Sequence, residues 1–125
     1  SDAHANYQKG IADMNTHAID IDAMQAQASK ASALLSAMCN EKRLMLLCRL
    51  VQGERSVNEL AESLNAPQST ISQHLSLLRR EGLVQARRDG QTQFYSLAGD
   101  DARAILETLQ SLYCDPQSDP QSKDA

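Results

Sequence analysis

Val57-Asn58-Glu59-Leu60-Ala61-Glu62-Ser63-Leu64, then Asn65-Ala66-Pro67, then Gln68-Ser69-Thr70-Ile71-Ser72-Gln73-His74-Leu75-Ser76-Leu77-Leu78-Arg79-Arg80, is the stretch that decides the fold. Val57, Leu60, Ala61 and Leu64 recur at helical spacing and predict one short helix. Asn65-Ala66-Pro67 ends it, and a new helix begins at or just after Pro67, since a proline at a helix start leaves no N–H unpaired. Ile71, Leu75 and Leu78 form the inner face of that second helix.

Its other face holds Ser69, Ser72, Gln73, Ser76 and Arg80, and no acid. An ordinary solvated face mixes Glu with Lys. Short hydrogen-bonding side chains with an arginine suit a helix that lies in a major groove about 12 Å wide. Gln68, Thr70 and His74 join them as candidate DNA contacts, although His74 lies beside Ile71 and Leu78 and a structural role is open to it. A neutral solvent-facing surface is the plain alternative.

Gly82 suits a left-handed helix end, after which Leu83–Arg88 and Gln91–Leu97 alternate around Asp89-Gly90, a strong hairpin signal. Arg87, Arg88 and Gln91 therefore fall near a hairpin tip, where they would meet the phosphate backbone or minor groove. A solvated turn is the alternative there. Helix, turn, helix and wing in this order point to DNA.

The residues Asn58-Glu59-Leu60-Ala61, Ser69-Thr70-Ile71-Ser72-Gln73-His74-Leu75, Leu78-Arg79-Arg80-Glu81-Gly82-Leu83-Val84 and Arg87-Arg88-Asp89-Gly90 resemble the ArsR/SmtB family of bacterial winged-helix repressors over roughly residues 18–114. The resemblance implies a mainly α winged helix-turn-helix of about five helices with a β-hairpin wing. It further implies a homodimer that binds double-stranded operator DNA and releases it on sensing an inducer.

A chain of 125 residues allows one small domain, and a modest core favours sharing surface with a second copy. Nothing reads as a transmembrane run or a secretory signal, so a cytoplasmic protein without membrane contact is expected. The net charge is −4, but residues 41–97 carry eight Lys/Arg against six Asp/Glu, so the proposed reader is basic relative to its flanks. Residues 1–17 are polar and residues 115–125 repeat Asp-Pro-Gln-Ser, and both are expected to be disordered around a domain at 18–114.

Ile21, Met24, Ala28, Ala31, Leu35 and Met38 form the seam of a long amphipathic helix, able to pack internally or across a dimer. Leu44, Leu47, Cys48 and Val51 share one face of a core helix at 41–51. Ala102, Ile105, Leu106, Leu109, Leu112 and Tyr113 line a last helix at about 100–113. The resemblance places the first and last of these helices at the subunit interface.

Cys39, Cys48 and Cys114 contain no CxxC, which argues against a thioredoxin-like pair or a zinc ribbon. The family's metal sites would need cysteines within 57–64 or histidines on the last helix, and neither is present, so no metal and no cofactor are expected. One cysteine on the second helix and one ending the last are similar to the persulfide-sensing branch of the family. That likeness implies that reactive sulfur species bridge Cys48 and Cys114 as a di- or polysulfide and release the operator. A direct disulfide needs Cα atoms roughly 4.4–6.8 Å apart, while inserted sulfur spans more, so a pair held slightly too far apart would discriminate.

Without the resemblance Cys48 reads as a core cysteine, whereas Cys114 follows Arg103, Glu107 and Gln110 around the helix, toward solvent. Arg43 and Arg49 favour a Cys48 thiolate while burial opposes it. Cys39 is a bystander in the two-thiol pattern. A metal- or general oxidant-responsive repressor remains an alternative. A small thiol enzyme is remote, because no His or Asp is placed to activate a nucleophile, and no enzyme activity is expected.

Overall fold

The computed structural model describes residues 18–114, so the expectations for 1–17 and 115–125 lie outside the described residues. Among the described residues are five helices, α1 (Ile21–Met38), α2 (Glu41–Val51), α3 (Val57–Leu64), α4 (Gln68–Arg80) and α5 (Asp101–Tyr113). Three strands accompany them, β1 (Arg55–Ser56), β2 (Val84–Asp89) and β3 (Thr92–Leu97), in the antiparallel order β1-β3-β2.

Helix boundaries follow from caps. Asp20 accepts from the Ala23 N–H at 3.1 Å, and Asn40 from the Arg43 N–H at 3.0 Å, starting α1 and α2. Ser56 and Glu59 form a reciprocal capping box at the start of α3, with bonds of 3.2 and 2.8 Å. At its end Asn65 adopts the left-handed conformation (φ 51°), and the Ala66 N–H reaches back to the Ala61 carbonyl at 3.0 Å. The same device closes α4: Gly82 sits at φ 82°, and the Leu83 N–H donates to the Leu78 carbonyl at 2.9 Å. Both residues of that last bond are buried, so the turn is locked by packing as well.

Leu46, Leu47, Leu60, Ile71, Leu75 and Leu78 are wholly inaccessible and join α2, α3 and α4 into one core. Leu83, Val84 and Tyr95 of the sheet side and Ala102 and Leu106 of α5 extend it. The most deeply buried face of α2 is therefore Leu46, Leu47 and Leu50, while Leu44, Cys48 and Val51 of the expected face pack against the same core less deeply. Leu44, Cys48 and Val51 are partly exposed and turn toward α5.

By internal contacts the chain divides after Ser32, within α1. Ile21, Met24 and Ala28 are exposed. In the larger unit, Leu35 is exposed too, while Met38 is buried in the core. Leu112 and Tyr113, expected on the apolar side of α5, are 61% and 74% exposed.

The hairpin differs in one detail from expectation. Asp89 pairs with Thr92, so the turn residues are Gly90-Gln91 and not Asp89-Gly90. Gly90 takes φ 66° and Gln91 does not take positive φ, the pattern of a II′ hairpin with glycine first. The third strand, β1, is an addition to the expected hairpin, since two residues carry no readable alternation.

Candidate DNA-reading face and thiol cavity

Once Ile71, Leu75 and Leu78 are buried, helical geometry forces Ser69, Ser72, Gln73, Ser76 and Arg80 outward, and all five are exposed. Gln68 is exposed as well, and its amide Nε2 donates to Asn58 Oδ1, tying the start of α4 to α3. Thr70 and His74 are half-buried. Burial first, then the charges of Arg43 and Lys42, hold the His74 imidazole below its ordinary pKa. His74 is therefore partly buried on α4, within electrostatic reach of Lys42 and Arg43 near the start of α2.

The strand period places Arg87 and Arg88 on opposite faces of the wing. Arg88 shares a face with Ala86 and Val84, and Arg87 lies directly opposite Phe94 on the other. Arg88 and Gln91 are exposed near the tip, whereas Arg87 is bound by Glu54 through bonds of 2.8 and 2.7 Å and stacks over Phe94 at 4.8 Å. Glu54 is a residue that sequence reasoning misses. It is 33 positions from Arg87, and no local pattern announces the pairing. The Ser56-Val57-Asn58-Glu59 capping box, by contrast, is legible as Ser-x-x-Glu.

Cys48 and Cys114 line one cavity of about 400 Å³, together with Leu44, Met45, Val51, Leu106, Leu109 and Tyr113. α2 supplies one wall and α5 the other. Cys48 is half-buried and Cys114 exposed, while Cys39, exposed before α2, does not line the cavity. Burial pushes the Cys48 thiol above the ordinary cysteine pKa, and the neighbouring Cys114 adds to the rise. The Arg43 guanidinium is turned to the end of α1, where it donates to the carbonyls of Ala37 at 2.6 Å and Ser36 at 3.4 Å. Arg49 Nε is buried without a hydrogen-bond partner among the described residues.

Residues 40–86 match the bacterial regulatory proteins of the arsR family. The transcriptional activator HlyU of Vibrio cholerae is 46% identical over 96 residues, which are 77% of this chain and 89% of that one. The chain belongs to the arsR family. Its fold is that of the transcriptional repressor BigR from Xylella fastidiosa, with TM-score 0.73, 35% identity, and coverage of 77% of this chain and 98% of that one. It also resembles the homodimeric winged helix-turn-helix DNA-binding domain Mb0332 from Mycobacterium bovis, with TM-score 0.63, 34% identity, and coverage of 75% and 85%. The winged helix-turn-helix is thereby established, and with it a DNA-binding transcriptional regulator. Among the described residues no helix is long and apolar enough to cross a membrane, and no three His, Cys, Asp or Glu gather to hold a metal.

Proposed function

We propose that this arsR-family protein is a sulfur-responsive repressor that binds operator DNA as a homodimer and lets go when reactive sulfur bridges Cys48 to Cys114. The observation that carries this reading is the shared cavity: two thiols from different helices open into one largely apolar space.

On DNA, Gln68, Ser69, Thr70, Ser72, Gln73 and Ser76 of α4 read bases or fix register, Arg80, Arg87, Arg88 and Gln91 meet the backbone, and His74 supports the helix from its inner edge. Exposed Leu35, Leu112 and Tyr113 are apolar residues that a second copy would cover, and Ile21 and Met24, in the other unit, are exposed apolar residues as well. The relative Mb0332 is homodimeric.

The sulfur chemistry balances without a further oxidant. Each thiol takes one sulfane sulfur from a persulfide, R–S–SH, and releases R–SH. One protein persulfide then attacks the inner sulfur of the other and expels hydrogen sulfide. Two thiols and two persulfides thus become one trisulfide, two R–SH and one hydrogen sulfide, the donor's sulfane sulfur being reduced as the protein thiols are oxidised.

Intact-mass spectrometry of the protein treated with a persulfide donor tests this. A gain of sulfur with loss of two hydrogens, mapped to a Cys48–Cys114 peptide pair, is expected. A loss of two hydrogens alone would mean a plain disulfide, and the same product formed equally by peroxide would mean a general oxidant sensor. Unchanged Cys48 and Cys114 would contradict the reading.

A further inference from the structure

Glu54 lies in the loop between α2 and β1, and its carboxylate takes both ends of the Arg87 fork: Nε donates to Oε2 at 2.8 Å and Nη2 to Oε1 at 2.7 Å. This two-bond fork is how arginine grips carboxylates and phosphates alike. The guanidinium also lies 4.8 Å from the centroid of Phe94, its partner directly across the hairpin. An anion on its edge and a ring on its face fix the plane of Arg87 as well as its charge.

The backbone delivers Glu54 to this spot. Gly53 stands at φ 145°, a conformation that residues with a side chain rarely adopt, and a Cβ there would come within 3.2 Å of Arg55 Nη1. Two residues on from Glu54, Ser56 pairs with Phe94, the same residue that underlies Arg87. The carboxylate is thus suspended between the end of α2 and the wing.

We propose that Glu54 is a built-in substitute for a DNA phosphate, occupying the Arg87 fork in the free protein and yielding it only when the wing is docked on a duplex in register. The inference rests on the reading of the wing as a backbone-contacting element. The two side chains, Arg87 and Glu54, are 54% and 34% exposed, so water screens the pair and its grip is modest. A phosphate presented by a docked duplex competes with it on near-equal terms. Non-specific complexes are held almost wholly by phosphate contacts, so silencing one arginine removes a larger share of their affinity than of the operator's. Glu54 is by this account a specificity-determining residue that never touches a base. Its carboxyl is held below the usual carboxylate range, chiefly by the bonds from Arg87, so it remains charged at neutral pH.

The test is the salt dependence of binding to a labelled random-sequence duplex, measured by fluorescence anisotropy for the unmutated chain, Glu54→Gln, Arg87→Ala, the double variant and Arg88→Ala. Glu54→Gln keeps the shape of the side chain, and thermal unfolding of each variant confirms that it is folded. The expected result is severalfold tighter binding by Glu54→Gln at low salt, with the log–log slope steeper by about 0.9 for each docked wing. In the Arg87→Ala background the same change should have no effect. If Glu54→Gln leaves binding unchanged or weakens it while Arg88→Ala still flattens the slope, the Glu54 proposal is overturned and the wing reading stands. If Glu54→Gln tightens binding equally without Arg87, the effect is general charge, and the proposal is again overturned. If none of the variants alters the slope, the wing reading itself falls.

Discussion

Cys48 on α2 and Cys114 at the end of α5 face the same cavity, and the neighbouring Cys114 charge contributes to the raised pKa of Cys48. The larger cause is burial. Cys48 therefore stays a thiol at neutral pH, and its attack on an electrophile should keep accelerating as pH rises past the ordinary cysteine value of about 8.5. The check is the alkylation rate of Cys48 against pH in a Cys39→Ser background. Adding Cys114→Ser should move the midpoint down without bringing it to the ordinary value. A midpoint at or below that value in the Cys39→Ser protein would contradict the burial argument.

His74 carries a separate pH dependence, in stability. Its imidazole is held below its unfolded pKa by burial and by the positive charges of Arg43 and Lys42. Its contribution is therefore fully present above the unfolded value of about 6.5 and is lost as pH falls through the lower folded value. Urea unfolding should show stability dropping on acidification below about pH 6.5, with a weaker drop in His74→Gln. An identical pH profile for the variant would remove His74 from this role.

Substitutions of Leu75 and Gln73 would separate folding from the proposed base reading on one helix. Leu75 is wholly buried and Gln73 exposed. Leu75→Ala should cost roughly 2–5 kcal/mol of stability by leaving a cavity. Gln73→Ala should leave stability within about 0.5 kcal/mol yet lose discrimination between bases, on the order of 1–3 kcal/mol for a bidentate contact. Equal losses on operator and random DNA for Gln73→Ala would sink its assignment as a base reader.

The elements legible in the sequence are those whose information is local. Ile71, Leu75 and Leu78 declare the inner face of α4 by spacing, and Gly82 marks its end. What escapes depends on partners far along the chain. β1 is two residues long and exists because Ser56 and Arg55 pair with Phe94 and Tyr95. The Glu54–Arg87 pair spans the same gap. The deepest face of α2 lies one step from the expected stripe because two neighbouring stripes are both apolar, and only the packing of α3 and α4 on Leu46 and Leu47 makes that one deeper. The two thiols are paired in sequence by family likeness, and no spacing alone would bring them to one cavity.

If the protein binds as the proposed homodimer, its symmetric pair of α4 helices must meet two half-sites about one helical turn, ~34 Å, or a multiple of it apart. Inserting five base pairs between the half-sites turns the second site to the far side of the duplex, and operator affinity should fall toward that of random DNA in a footprinting titration. Unchanged affinity would rule out symmetric recognition by a dimer.

In the proposed mechanism a sulfur bridge would tie α2, which leads into the reader, to α5, whose exposed end a second copy would cover. Both reading heads must fit their half-sites together, so a modest change in their relative angle forfeits the avidity of the second contact. The most direct measurement is an operator-binding titration of the unmutated chain, Cys48→Ser, Cys114→Ser and Cys39→Ser, each before and after treatment with a persulfide donor. All four should bind when reduced, and only the unmutated chain and Cys39→Ser should release DNA after treatment. Release by Cys114→Ser or Cys48→Ser to the same extent as the unmutated chain would contradict the account.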